Sequence, residues 1–208
     1  MPDALVIAGV LLVAAPLLGA IPVAYPPLLP VWSASRERHI AIIGAHRRSW
    51  RLLNGGFALA TTGTAGGLAA LVVGVWADPG LAAMVAPLAV VYAMAGVLWC
   101  AVLAARALVT PALAELGAAG EPAGTAETLL GAVTGGMFAA FVLVTGPVLM
   151  ALGAVLAVTG TVAAPVGWLA ALIAAVATGS QLANGDTIPA VLYPPTMLIG
   201  IALLAGWT

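Results

Sequence analysis

Residues 33–76 read SASRERHIAIIGAHRRSWRLLNGGFALATTGTAGGLAALVVGVW, and the change of character inside this stretch decides the fold. Up to Arg51 it is polar and basic, with Arg36, Arg38, Arg47, Arg48 and Arg51 in one short segment. From Leu52 to Trp76 it carries no charge at all. An uninterrupted apolar run of about 20 residues is long enough to cross the hydrocarbon core of a bilayer as a helix. A basic segment directly before such a run marks the cytoplasmic side of a membrane protein.

The rest of the chain has the same character. Of its 208 residues, 63% are apolar and 6% charged, and mean hydropathy is +1.19. Soluble domains carry about 25% charged residues, so lipid must cover most of this surface. All six cations are arginine. Without lysine, a retinal Schiff base and other lysine-based covalent catalysis are excluded. The Ala, Gly, Val and Leu bias fits a GC-rich bacterial genome. Cys100 is the single cysteine, so an intramolecular disulfide, a Cys-rich zinc site and a four-cysteine iron–sulfur cluster are excluded too. The start, Met-Pro-Asp, lacks a basic n-region, and the first apolar segment reads as a retained span rather than a cleaved signal.

The predicted fold class is all-α: one polytopic bundle, residues 1–208, of about six transmembrane helices. The spans fall at about 4–25, 52–76, 81–108, 128–157, 163–183 and 188–207, with a basic segment at 33–51. Pro26, Pro27 and Pro30 end the first span, and Tyr25 and Trp32 sit where interfacial aromatics anchor. Asp78, Pro79 and Gly80 form the turn before the third span. Residues 111–126 read as the longest loop, with Thr125 as cap of the fourth helix and Glu127 in its first turn. Thr128 to Gly160 is read as one long helix, tilted or kinked at Gly146-Pro147. Pro194 and Pro195 are expected inside the last span, bending it. Arg106 falls on the same side as the basic segment, which places both termini outside a cell (plasma or inner) membrane.

Within 33–51, Ser33 or Ser35 is the expected helix cap. A helical wheel puts His39, Ile43, His46 and Trp50 on one stripe beside Arg36, Arg47 and Arg51. The segment reads as an interfacial helix or as an extension of the second span. Two histidines seven residues apart on a straight helix stand about 10 Å apart along its axis, too far to chelate one metal ion. No metal, haem, other cofactor or catalytic residue is expected. The candidate lipid- or partner-binding residues are Arg36, Arg38, His39, His46, Arg47, Arg48, Trp50 and Arg51. They suit anionic headgroups or a docking protein. Asn54 is a candidate polar contact to a neighbouring helix or at a cavity mouth. Asp186 caps the sixth helix, or pairs with Arg51 or Arg106. No nucleic-acid partner is expected.

No ionisable residue falls in the middle of a predicted span, where ion-coupled carriers and intramembrane proteases normally need one. The expected function is therefore a non-catalytic accessory or scaffold subunit, meeting other membrane subunits or further copies of itself. The rival is a small transporter or channel for a neutral or lipid-like solute, using the Thr-lined second span and the proline-bent helices. An enzyme acting on lipid headgroups comes third.

Overall fold

The structure, a computed structural model, describes residues 2–119, 124–185 and 189–207, without the side chains of Pro2, Arg36, Glu37 and Pro189. Every regular element among them is helical: α1 (Pro2–Ala20), α2 (Arg36–Ala45), α3 (Arg47–Gly74), α4 (Pro79–Ala118), α5 (Gly124–Val158), α6 (Ala164–Asn184) and α7 (Tyr193–Ala205). Short 3-10 turns join α1 to α2 (Ile21–Ala24, Pro26–Trp32) and precede α7 (Pro189–Leu192). Five segments are long and apolar enough to cross a membrane: Asp3–Ala24, Arg47–Gly74, Pro79–Ala118, Gly124–Val158 and Ala164–Asn184.

Six helices close a ring. α1 packs on α3, α3 on α4, α4 on α5, α5 on α6, α6 on α7, and α7 returns to α1. The contacts are made by small residues. Gly56 of α3 meets Gly19 of α1, Gly67 meets Leu12 and Gly74 meets Leu5, an antiparallel register along one face. On the other side of the ring, a Cβ added to Gly153 of α5 would stand 2.6 Å from the carbonyl oxygen of Gly167 in α6, and the converse holds at the same distance. Lipid tails are as apolar as leucine, so helices associate there through close backbone approach and not through hydrophobic expulsion.

Several boundaries differ from the sequence expectation. The region 111–126 is not one long loop, because α4 continues through Pro111 to Ala118 and α5 begins at Gly124. Proline removes a donor and crowds the carbonyl four residues back, yet Pro111 is buried. Ala114, one turn on, is approached by Gly44 of α2, so tertiary packing holds this turn helical. Thr125 is consequently the second residue of α5 instead of its cap.

Pro194 and Pro195 do not bend the last helix either. They occupy its first turn, where a missing N–H breaks no hydrogen bond. Thirteen residues of α-helix rise only about 20 Å. The preceding 3-10 turn adds about 8 Å. The C-terminal end is tied to the α5–α6 turn by Ala163 N–H donating to Trp207 O at 2.7 Å, and Ala190–Ala205 is an apolar helix shorter than the five spanning segments. Asp186, and Ile188 at the predicted start of this segment, lie outside the described residues. The one long helix expected over 128–160 is found at Gly124–Val158 with Pro147 inside it, and the first apolar segment passes into proline-rich 3-10 turns already at Ile21, ahead of Pro26. Asp78 does more than turn the chain. Its Oδ1 accepts from Gly80 N–H (3.0 Å) and Leu81 N–H (3.1 Å), capping α4.

Leucine in place of Gly153 should push α5 and α6 apart and lower stability by about 1–3 kcal/mol. Alanine in place of Gly135, which faces open space, should be neutral. Thermal unfolding of both variants in detergent checks this.

Candidate functional site

The polar residues gather at one end of the ring. α4, at 40 residues, and α5, at 35, rise about 60 and 52 Å, well beyond the ~30 Å of a hydrocarbon core. α3 starts beside α4 at Arg47, whose guanidinium is ion-paired with Glu115. The last turns of α4 therefore continue past the start of α3, and α2 lies on that extension, also touching the 3-10 turns before it. The stripe expected on one straight helix is broken at His46 (φ −124°, ψ 39°). At the break, His46 N–H is shared between Ile42 O and Ile43 O. Arg47 Nε donates to Gly44 O at 3.0 Å, so a cation closes a free carbonyl of the ending helix. α2 thus extends neither α3 nor its axis; it is a separate helix on α4.

Trp50 is the hub. Expected to face a partner, it is 1% exposed. Its Nε1 donates to the Arg106 carbonyl at 2.8 Å. The Arg106 guanidinium lies over its ring, 5.2 Å from the centroid, and His39 meets it edge-on at 5.9 Å. One indole thus joins α2, α3 and α4, and a cation on its face adds about 0.5–2 kcal/mol. Asn54, expected to reach another helix, instead donates from Nδ2 to Trp50 O at 2.8 Å within α3. His46 turns away to contact Tyr25 edge-on at 6.2 Å. The two histidines therefore have different neighbours.

Beside the hub opens a cavity of about 650 Å³, within the range of small-molecule sites. α2 supplies His39 to it, α3 Trp50, α4 Arg106 and Thr110, and α5 Glu127, Gly131 and Thr134. Arg106 and Thr110 are one helical turn apart and so share a face. Among the described residues no carboxylate lies within ion-pairing distance of Arg106. His39 Nδ1 is 3.1 Å from Val31 O. A carbonyl can only accept, so Nδ1 carries the proton and donates. Burial pushes this imidazole below its ordinary 6.5. The Val31 carbonyl opposes that, Arg106 reinforces it, and Glu127 opposes it.

Of the residues expected to bind lipid or a partner, His39 and Trp50 line the cavity; Arg106 and Glu127, which also line it, are read in the sequence only as a side marker or partner of Asp186 and as a first-turn acid. Arg38, Arg47, Arg48 and Arg51 are exposed outside it, and the Arg36 side chain is not described. Thr110 was not among the candidates. The signal for Arg106 was present: it is the one cation in the long apolar run from Leu81 to Leu108, and such charges mark sites. Comparison with protein-family models, with characterised proteins and with solved structures returns no match.

Phenylalanine at Trp50 keeps an aromatic ring but is smaller, leaves space at a buried site and loses the bond to Arg106 O, and should cost about 2–3 kcal/mol, measured as a drop in unfolding midpoint. The depressed His39 value also sets a pH dependence. Just below pH 6.5 the unfolded chain binds more protons than the folded one, so stability is complete above that pH and falls as pH drops through the folded value. The midpoint should therefore decline from pH 6.5 to 5.5, above the carboxylate range, and asparagine at position 39 should flatten the decline.

Proposed function

We propose that the protein is a non-catalytic subunit of a membrane assembly, crossing the bilayer six times with both termini outside and its arginine-rich end in the cytoplasm. The observation that carries this reading is the built polar end. α2 is pinned on the α4 extension through Trp50, and Arg38 of α2 and Arg47, Arg48 and Arg51 of α3 are exposed at that end of the ring. A segment that served only to orient insertion needs arginines near a span; it does not need a buried indole that holds a separate helix in place. A fixed, charged helical surface suits an acidic face on a partner subunit, with anionic headgroups around it. The closing of the ring by α7 supports the sixth crossing.

One observation favours the rival reading, passage of a neutral solute. Among the described residues, Thr64 Oγ1, the Tyr92 hydroxyl, Trp99 Nε1 and Gln181 Oε1 are buried without a hydrogen bond of ordinary geometry, although Thr64 lies against Tyr92 and Trp99 against Tyr193. Buried polar groups are nearly always paired, and a polar solute moving through the ring would pair them.

Gentle-detergent purification from the native membrane, with the mass of the intact particle, tests the first reading. A stoichiometric companion of different sequence is expected. Triple replacement of Arg38, Arg48 and Arg51 by glutamate should release it while insertion, read by protease protection, stays intact. A lone particle that conducts solute in liposomes would overturn the subunit reading in favour of the second.

A further inference from the structure

We infer that the cavity beside Trp50 binds the zwitterionic phosphate–amine headgroup of a membrane phospholipid, with phosphate at Arg106 and the primary ammonium at Glu127. The inference rests on the membrane placement above but not on a partner protein, and lipid retention is read separately from partner release.

The charges select the ligand. Arg106 and Glu127 line the same cavity, and both are close enough to His39 to influence its proton. Among the described residues that line it, one cation and one anion share the chamber, which matches a headgroup of the same two charges. They suit a simple anion less, since Glu127 would repel it. The face of Trp50 already covers the Arg106 guanidinium, so the N–H edges of that group are what remains for an incoming oxygen. Guanidinium edges match a phosphate with two parallel hydrogen bonds. Thr110, one turn along, adds a hydroxyl. Glu127 has contacts of its own, and a carboxylate accepts several donors. A primary ammonium offers three N–H groups to it, whereas a choline headgroup offers none. The aromatic face that would hold a quaternary amine is taken by Arg106.

The surroundings select a lipid over a soluble molecule. On α4, Leu108 and Val109 are exposed next to Arg106 and Thr110; on α5, Leu129 and Val133 are exposed next to the cavity residues of that helix. A polar chamber with exposed apolar side chains on both flanking helices fits an amphiphile whose acyl chains run down the outside of α4 and α5. Gly131 gives the chamber its depth: a Cβ there meets nothing within 4 Å.

The test is native mass spectrometry of the full-length protein released from nanodiscs holding equal phosphatidylethanolamine, phosphatidylglycerol and phosphatidylcholine. Wild type should retain phosphatidylethanolamine preferentially. Arg106→Gln and Gly131→Trp should each reduce that retention about tenfold, the equivalent of one charge-assisted hydrogen bond. Tryptophan at 131 enters open space, so it keeps the test valid if the Arg106 variant unfolds. Glu127→Gln should turn the preference from phosphatidylethanolamine toward phosphatidylglycerol, an inversion that unfolding does not produce. Equal retention of the three lipids by wild type, or retention unchanged in both Arg106→Gln and Gly131→Trp, overturns the site. Free O-phosphoethanolamine binding as tightly as the lipid overturns the lipid source.

Discussion

Where lipid surrounds a chain, two helices gain nothing by hiding leucine from it, and five helices long and apolar enough to cross a membrane suit this chain to that constraint. What remains is dispersion at short range and satisfied backbone, both of which require chains to come close. The contacts of Gly56 with Gly19 and of Gly153 with Gly167 are the response. Glycine and alanine on facing sides bring α1 to α3 and α5 to α6, and the ring closes through α7 because Gly200 and Gly9 meet in the same manner. Large side chains serve both sides: Leu12, Leu68, Leu71 and Leu149 fill the interior, while Val97, Met94 and Val176 are exposed.

The same constraint pushes polarity to one end. Charge is expensive within an apolar layer, and the arginines and acids of α2, α3, α4 and α5 meet at one end of the ring, where α4 runs past the start of α3. There a different physics applies, in which an indole is held by a hydrogen bond, a cation on its face and an imidazole at its edge. Trp50 converts the basic segment from a loose connection into a fixed element, and it leaves a chamber between that element and α5. The chamber owes its shape to α2 lying on α4, and its chemistry to residues from four helices.

Local rules fail where packing outweighs them. Pro111 reads as a helix end, but α2 buries that turn and the helix goes on. Pro194 and Pro195 read as a kink, but the chain begins a new helix there, since proline fits the first turn without loss. Position 46 reads as mid-helix. The chain bends there because Arg47 closes the Gly44 carbonyl, which lets α2 leave the axis of α3 and lie on α4.

The sequence by itself determined the helical class, the apolar segments and the segregation of arginine beside the second of them. These follow from composition and from runs of about 20 residues, which need no knowledge of neighbours. It also singled out His39 and Trp50, though as one stripe of a straight helix and not as neighbours on two helices. Only the tertiary structure decided that Trp50 faces inward, that Arg106 and Thr110 share a chamber with Glu127, and that Asn54 bonds its own helix. Those outcomes depend on which helices become neighbours and at what height. That is set by backbone approach along glycine faces between segments distant in sequence, which no local pattern encodes.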